Sequence, residues 1–231
     1  MGVAEFIAVT DNVMSREDVK IILDVGSLHA QEAREFSAAF PNAKIYSFEC
    51  NHDSYLRCVE ATKDFPRCNV VNKAVHNYDG VCRFYPIDTI NTVTTHADGN
   101  PGASSLFKAA GTYDHIEKYV QHEVEVPCTR LDTWAKENSI EEIDLLWMDL
   151  QGGELLALEG LGDLLQKVKV IHTEVELNPM YTGQVLFPEV EKFMVENGFK
   201  RVWGNLHVQF GTDVIYIRNE EIERIVGVTL R

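Results

Sequence analysis

The sequence predicts a single α/β domain with a mostly parallel sheet and helices on both faces. Apolar runs typical of buried strands alternate with stretches of helical periodicity, as in consecutive βαβ units. The first run, 20–27, contains Asp24-Val-Gly26, and the second, 44–50, ends beside Glu49. A glycine turn followed about 20 residues later by an acidic strand end is typical of a nucleotide-binding βαβ unit.

The elements of the first half are predicted from the same two signals, apolar runs for strands and apolar residues at helical spacing for helices. Residues 29–40 are predicted to be helical because Ala33, Phe36 and Phe40 lie three to four positions apart. Asn51 or Asp53 can cap the helix that follows the second strand. The later β-type runs are 44–49, 69–75, 80–87 and 122–130, of which the last two could flank the sheet or pair as an inserted hairpin.

The second half continues the alternation of strands and helices. Gly152-Gly153 turns the chain out of a buried strand into a helix that is predicted to run to about Gln166. The elements predicted there are helix 132–139, strand 143–149, that helix, strand 168–176, helix 188–197 and an antiparallel pair, 200–206 with 208–218.

The chain shows no linker, repeat or low-complexity segment, so one domain over 1–231 is predicted, with 1–19 as an N-terminal extension. The least regular part, 88–112, is rich in Thr, Asn, Gly and Ser. Long irregular loops in compact domains are usually functional, and this segment is a candidate lid over the substrate.

Composition narrows the classes of partner. The formal charge is −15 and no basic run exceeds two residues, which argues against a nucleic-acid partner. No window approaches 18 apolar residues and the start lacks a secretory signal, so we expect no membrane segment and a cytoplasmic location. The five cysteines form no CxxC pair, so neither a zinc knuckle nor a disulfide framework is indicated.

Polar residues follow the predicted parallel strands at their carboxyl ends, where open α/β sheets bind ligands. Glu49 could hold both hydroxyls of a ribose, which favours an adenosine-type ligand. Simpler roles exist for others: Asp24 could cap the glycine turn, Asp149 could cap the next helix, and His172 is predicted to be a core histidine. The strand-end residues are Asp24, Gly26, Ser27, Glu49, Asn51, Asn72 to Val75, Asp149, Gln151, Glu174 and Glu176.

Six motifs give the chain a family resemblance: DVGS at 24–27, FECN at 48–51, NKAV at 72–75, ASSL at 103–106, VPCTRLDT at 126–133 and IDLLWMDLQGGE at 143–154. The last two are the most specific, because they distinguish the family from general Rossmann proteins. With these motifs the chain resembles the FkbM-type S-adenosylmethionine-dependent methyltransferases from about residue 20 to residue 217.

The resemblance implies a Rossmann-like, seven-stranded sheet whose last strand is antiparallel, and O-methylation, commonly of a sugar or polyketide hydroxyl. The acceptor would be a small molecule or a glycan, and the chain could be one domain of a larger glycan-modifying enzyme. The cofactor-binding residues predicted in this way are Asp24 and Gly26 at the methionine part, Ser27, Glu49 at the ribose, Cys50, Asn51, Asn72, Lys73 and Ala74 near the adenine, Ser104 and Ser105 closing over the site, and Asp149.

Three positions depart from the family pattern. Ala30 stands where a second glycine is usual, and alanine is small enough for close approach to survive. Trp147 replaces a lysine and Gln151 replaces a glutamate, both beside the expected reaction centre. These two changes are expected to alter the choice of substrate.

A sugar hydroxyl is a weak nucleophile at neutral pH, so a base within hydrogen-bond reach is expected. Asp149 is the first candidate, and Glu174 or Glu176 is the second. A divalent ion held by Asp149 and Glu174 is a further alternative that spacing does not decide. The predicted acceptor contacts are Gln151, Trp147, Tyr181 and His96, with Tyr113 and Asn205 as further loop candidates.

Two other classes of function compete with this prediction. One is a nucleotide-binding module without catalysis, in which Trp147 blocks the pocket. The other is a dinucleotide-dependent dehydrogenase, disfavoured because the GxGxxG turn is incomplete and no Tyr-x-x-x-Lys relay is present at useful spacing. Binding of S-adenosylhomocysteine rather than NAD(P) separates the methyltransferase from the dehydrogenase.

Overall fold

A computed structural model describes residues 2–112 and 116–229, and its strands form two sheets. The strands, in chain order, are β1 (Ile21–Val25), β2 (Lys44–Phe48), β3 (Cys68–Val71), β4 (Ala74–Val75), β5 (Gly80–Phe84), β6 (Val124–Thr129), β7 (Ile143–Met148), β8 (Val168–Glu176), β9 (Phe199–Gly204) and β10 (Gly211–Arg218).

The main sheet has seven strands in the order β3-β2-β1-β7-β8-β10-β9. Neighbours from β3 to β8 are parallel, whereas β10 is antiparallel to both β8 and β9. The register pairs Val25 with Phe48 on one side and with Met148 on the other, so β1, β2 and β7 end together. The predicted fold, a mostly parallel Rossmann-like sheet with an antiparallel last strand, is confirmed.

The helices cover both faces of this sheet, as predicted. One apolar cluster, which includes Phe6 and Phe36, packs under α1, α2, α3 and α7, and the other, which includes Trp134 and Met194, packs under α4, α5 and α6. The helices are α1 (Val3–Thr10), α2 (Gln31–Ala39), α3 (His52–Thr62), α4 (Leu131–Glu137), α5 (Glu154–Glu159), α6 (Phe187–Glu196) and α7 (Asn219–Thr229).

The run 69–75, predicted as one strand, is divided between the two sheets. Its first part belongs to β3, whereas β4 pairs in parallel with β6 in a separate three-stranded sheet. The amide of Lys73 donates to the carbonyl of Val71, which turns the chain between the two strands. In the same small sheet, β5 and β6 pair antiparallel with each other, so of the two alternatives left open the paired arrangement is observed.

The helix predicted to reach about Gln166 was also too long. It ends as α5 at Glu159, and a 3₁₀ segment follows over Gly162–Lys167. At Gly160 an added Cβ would lie 2.3 Å from the carbonyl oxygen of His76, so the chain passes there too closely for a side chain. Helical periodicity alone does not reveal such a tertiary approach.

Two helices lie outside the predicted elements, α1 near the start and α7 at the end. Within the predicted extension 1–19, Phe6 of α1 is fully buried against Phe36, Trp147 and His172. In the described residues there is no helix of the length and apolar character needed to cross a membrane.

Part of the irregular segment 88–112 lies beside the carboxyl ends of β1, β2 and β7, because Pro101, Ser104 and Ser105 line one pocket together with Gly26, Glu49 and Asp149. A 3₁₀ turn at Pro101–Ala103 leads into Ser104 and Ser105. Isolated bridges from Tyr85 to Ser105 and from Val93 to Lys118 join the segment to its surroundings. A movable lid at this position stays a prediction.

Candidate active site

The turn after β1 brings three strand ends into contact. Gly26 has a left-handed backbone (φ +88°), and a Cβ at this position would lie 1.9 Å from the carbonyl oxygen of Asp149. The amides of Gly26 and Ser27 donate to the carbonyl of Phe48 (3.0 and 3.1 Å), and the amide of Asp149 donates to Val25 (3.0 Å). Only a residue without a side chain fits here, because the backbones of β1 and β7 meet at this point.

Asp24 lies beneath this turn. Its side chain is buried, and one carboxyl oxygen accepts hydrogen bonds from Ser47 (2.5 Å) and Ser27 (2.9 Å). Burial raises the pKa of Asp24 to about 7, although the hydrogen bonds from the two serines act to lower it. The side chain therefore supports the turn from below, and direct contact of Asp24 with a cofactor stays a prediction.

The raised pKa of Asp24 predicts that stability falls as pH rises. Because the folded state binds this proton more tightly than the unfolded state, its contribution is present near pH 4 and is lost through about pH 7. At about 1.4 kcal/mol per pKa unit, the free energy of unfolding should fall by at most roughly 4 kcal/mol over that range. Chemical denaturation at several pH values should show a flatter curve for Asp24→Asn than for the wild type.

An exposed carboxylate supplies the control for that experiment. Asp163→Asn should keep the wild-type dependence on pH, because Asp163 lies at the surface. An Asp24→Asn curve that runs parallel to the wild-type curve would show that Asp24 is not the group that titrates.

Glu49 follows β2 and is fixed by backbone amides. Its two carboxylate oxygens accept hydrogen bonds from the amides of Leu28 (2.9 Å) and Asn51 (2.7 Å). Burial raises the pKa of Glu49 to about 7. The side chain of Asn51 caps α3, as predicted, and Asn72 donates to the carbonyl of Glu49 (2.8 Å). Asn51 and Asn72 thus hold the end of β2 in place.

A central pocket opens between Gly26, Glu49 and the irregular segment. It also meets Ser54 of α3, which the sequence gave no reason to select. The Ser105 hydroxyl donates to the carbonyl of Gln151 (2.7 Å), and Ser104 accepts from the amide of Ile87 (3.0 Å). The predicted residues that line this pocket are Gly26, Glu49, Cys50, Lys73, Ala74, Ser104, Ser105 and Asp149.

A second pocket, which we call the acidic cleft, borders the same glycine turn. It shares Gly26, Leu28 and Asp149 with the central pocket, so the two meet at Asp149. The acidic cleft is lined by Gly26, Ser27, Leu28, His29, Gln31, Glu32, Trp147, Asp149, His172, Glu174 and Asp213.

Gln151 joins the two carboxylates at the meeting point of the pockets. Its amide nitrogen donates to Asp149 (2.7 Å) and Glu174 (2.8 Å), and its amide oxygen lies 2.9 Å from the Tyr181 hydroxyl. Burial raises the pKa of Asp149, and burial together with the charge of Asp149 raises the pKa of Glu174 well above its usual range. The amide is suited to this position because it donates to both carboxyl groups.

Gln151→Glu is therefore expected to destabilise the site. The change places a third carboxyl group against Asp149 and Glu174 and removes both N–H donors. The free energy of unfolding at neutral pH should fall by about 1–3 kcal/mol, measured by chemical denaturation. Gln166→Glu, at an exposed position, is the control. Equal stability of the two variants would contradict the bridging role of Gln151.

The floor of the acidic cleft is a stacked pair of rings. Trp147 and His172 have ring centroids 3.4 Å apart and planes inclined by 10°, and the His172 Nε2 lies 3.0 Å from Asp213 Oδ1. Burial lowers the pKa of His172, so the imidazole is neutral at physiological pH. His172 is buried, as predicted, but it also contributes to a pocket. Sequence reasoning missed this role, along with Glu32 and Asp213.

Several predicted residues lie away from both pockets. Glu176 and Tyr181 are buried and line neither pocket, and the Tyr181 hydroxyl contacts the amide oxygen of Gln151 and the carbonyl of Ala103. His96 is exposed, with its Nε2 3.7 Å from Glu117. Asn205 follows β9 and lines a separate surface depression, and Tyr113 lies outside the described residues.

The predicted divalent-metal alternative has no matching cluster in the described structure. Among residues 2–112 and 116–229, no three His, Cys, Asp or Glu side chains converge in an arrangement that could hold a metal ion. Asp149 and Glu174, the two predicted ligands, are instead bridged by the Gln151 amide.

Solved structures share the fold at low sequence identity. The magnesium protoporphyrin IX methyltransferase ChlM from Synechocystis PCC 6803, with bound S-adenosylmethionine, is 7% identical, with 94% of this chain and 77% of that chain covered and a TM-score of 0.51. The fibrillarin/Nop5p complex gives 12% identity, 89% and 74% coverage and the same TM-score. These similarities establish the fold.

Comparison of amino-acid sequences identifies relatives more specifically than similarity of fold does. The 2-O-methyltransferase NoeI of Sinorhizobium fredii NGR234 is 29% identical over 170 residues, which cover 71% of this chain and 67% of NoeI. A sequence model of the methyltransferase FkbM domain matches residues 24–201, which include both pockets' strand-end residues. The chain therefore belongs to the FkbM methyltransferase family.

Proposed function

We propose that the protein transfers a methyl group from S-adenosylmethionine to a hydroxyl of a sugar or similar small-molecule acceptor. The observation that carries the proposal is the meeting of two pockets at Asp149, one with the features of a nucleoside site and one open to an acceptor. The similarity to NoeI, a 2-O-methyltransferase, supports an oxygen acceptor.

The residues of the central pocket fit the cofactor. Glu49 presents an oriented carboxylate for the ribose hydroxyls, and Gly26 lines the same pocket, where it would border the methionine part. Lys73, Ala74, Ser104 and Ser105 line the same pocket, where Lys73 and Ala74 would border the adenine and the two serines would close over the site. When bound, the cofactor supplies a methyl group that its sulfonium already activates.

Trp147 does not argue for a non-catalytic module. Trp147 is 7% exposed, stacks on His172 and lines the acidic cleft, whereas the central pocket is lined by other residues. Trp147 therefore leaves the proposed cofactor site open.

Asp149 is the proposed base. As the hydroxyl oxygen gains the methyl group, its proton passes to the Asp149 carboxylate. The raised pKa of Asp149 makes it a stronger base than an exposed carboxylate, and Gln151 fixes its orientation. Glu174, held by the same amide, is the second candidate, whereas Glu176 lines neither pocket.

Calorimetric titration of S-adenosylhomocysteine tests the cofactor site. The wild type should bind with a micromolar Kd, and Glu49→Ala should weaken binding at least about tenfold, equivalent to roughly 1.4 kcal/mol. Glu60→Ala, at an exposed position of α3, should bind like the wild type. A folded wild-type protein that gives no heat would refute the proposal, and binding without methyl transfer to any hydroxyl would favour the non-catalytic module.

A further inference from the structure

Tyr181 is a buried tyrosine that lines neither pocket, yet its hydroxyl contacts two parts of the site. The residue is 1% exposed, and its hydroxyl lies 2.9 Å from the amide oxygen of Gln151 and 3.0 Å from the carbonyl oxygen of Ala103. Burial raises the pKa of Tyr181 well above its usual range, so the hydroxyl keeps its proton and donates it to these two oxygens. Any effect of Tyr181 on the reaction would therefore pass through the residues that it contacts.

The side-chain amide of Gln151 has a defined orientation. Its nitrogen donates to the carboxyl groups of Asp149 (2.7 Å) and Glu174 (2.8 Å), and its oxygen accepts from Tyr181. Carboxylates accept hydrogen bonds and a protonated hydroxyl donates one, so each end of the amide meets a complementary group. Without the hydroxyl, the oxygen end loses this donor, and the amide is held less firmly against the two carboxyl groups.

The main chain at Gln151 is fixed as well. Its backbone is left-handed (φ +51°), a conformation that a residue with a side chain keeps only when its surroundings hold it there. The Ser105 hydroxyl donates to the Gln151 carbonyl (2.7 Å), and a Cβ added at Gly152 would lie 3.0 Å from the Cβ of Gln184. Neighbouring residues thus fix the main chain of Gln151, and Tyr181 fixes the far end of its side chain.

Tyr181 is itself anchored by backbone contacts. Its amide donates to the side-chain oxygen of Gln184, and the residue forms an isolated bridge with Ala109. The amide of Thr182 donates to the carbonyl of Lys108 (2.7 Å). Side chains that are locked in this way can hold the groups of a reaction centre in a productive geometry.

We propose that Tyr181 is a positioning residue for methyl transfer, whose hydroxyl holds the Gln151 amide so that the amide orients Asp149 toward an acceptor. This inference rests on the proposed function and adds to it a residue that lines neither pocket. Glu174, the second candidate for the base, is held by the same amide. The role of Tyr181 therefore does not depend on which of the two carboxyl groups receives the proton.

The first test measures the Gln151 amide itself. Its exchange with solvent is followed by NMR in protein labelled with [15N]glutamine, and its signal is assigned by its loss in Gln151→Met. In the wild type it should exchange at least about tenfold more slowly than the amide of Gln209, which is exposed. Tyr181→Phe keeps the ring and removes the hydroxyl, so it should speed the exchange by at least about tenfold. Unchanged exchange in Tyr181→Phe, or equal exchange of the two amides in the wild type, would overturn the inference.

The second test separates a positioning role from a general loss of stability. Methyl transfer from S-adenosylmethionine to a panel of neutral methyl glycosides is measured for the wild type, Tyr181→Phe and Tyr216→Phe. Tyr216 is the matched control, because it is fully buried, donates its hydroxyl to Glu191 (2.5 Å) and lines neither pocket. Tyr181→Phe should lower kcat roughly tenfold without changing the Kd of S-adenosylhomocysteine, whereas Tyr216→Phe should keep both. Equal kcat values for the two variants would contradict the positioning role.

A double variant tests whether the effect passes through Gln151. In Gln151→Met the amide is absent, so the addition of Tyr181→Phe should lower kcat by no more than about twofold further. A further loss of roughly tenfold would show that Tyr181 acts by another route, and would overturn the inference while leaving the proposed function intact. A folded wild-type protein that gives no heat with S-adenosylhomocysteine would remove both.

Discussion

Gly26→Ala is expected to abolish binding of S-adenosylhomocysteine. The added Cβ would lie 1.9 Å from the carbonyl oxygen of Asp149, where it cannot be accommodated unless β1 and β7 separate. The left-handed backbone (φ +88°) adds a strain of about 1–3 kcal/mol for alanine. We therefore expect no heat in calorimetric titration and a lower melting temperature, because the turn supports both the cofactor pocket and the junction of three strands.

Gly198→Ala separates backbone strain from steric collision. Gly198 has nearly the same backbone angle (φ +83°), but no atom lies within 4 Å of the Cβ that alanine would add. This variant should lose about 1 kcal/mol of stability and bind S-adenosylhomocysteine like the wild type. If Gly26→Ala binds as well as Gly198→Ala, the close contact with Asp149 is not essential to the site.

Asp149→Asn should remove methyl transfer while leaving the cofactor site intact. The amide cannot take the hydroxyl proton, so kcat should fall by roughly 10²–10⁴-fold. Asparagine keeps an oxygen that can accept from Gln151, and the backbone contact with Gly26 is unchanged. Binding of S-adenosylhomocysteine should therefore stay close to that of the wild type. Single-turnover transfer and calorimetry on the same preparation measure the two effects.

Glu176→Gln is the comparison for Asp149→Asn. Burial raises the pKa of Glu176 to about 8, so its carboxyl group is mostly protonated at neutral pH and an amide resembles it. Its side chain is buried and lines neither pocket. The kcat of Glu176→Gln is therefore expected to stay close to that of the wild type. Loss of transfer in Glu176→Gln together with retention in Asp149→Asn would reverse the assignment of the base.

The main sheet could be predicted because its signals are local. Apolar runs such as 20–27 and 168–176 are typical of strands that are buried on both faces, and the structure places strands in both. The division of 69–75 could not be predicted, since β4 leaves the main sheet to pair with β6, about fifty residues further along the chain. α7 was missed although its apolar residues Ile222 and Ile225 contact the core, because Asn219–Thr229 is rich in charge.

The candidate site likewise contains residues that could be predicted from the sequence and residues that could not. Gly26, Glu49 and Asp149 were identifiable because strand ends of a parallel sheet converge on one edge. Asp213 was not, because it lies on the antiparallel strand β10, where its register opposite Glu174 depends on the tertiary pairing. Glu32 was missed because an acidic residue in the first turn of a helix is already explained by the helix dipole.

Phe6 connects the first helix to the acceptor side of the site. Its ring meets Trp147 at 5.4 Å and His172 at 5.9 Å, both edge to face, so α1 supports the rear of the stacked pair that floors the acidic cleft. Shortening the protein at its amino end past this residue would leave that pair without backing. Variants trimmed past Phe6 would then change acceptor preference as well as yield, although every residue of the two pockets was retained.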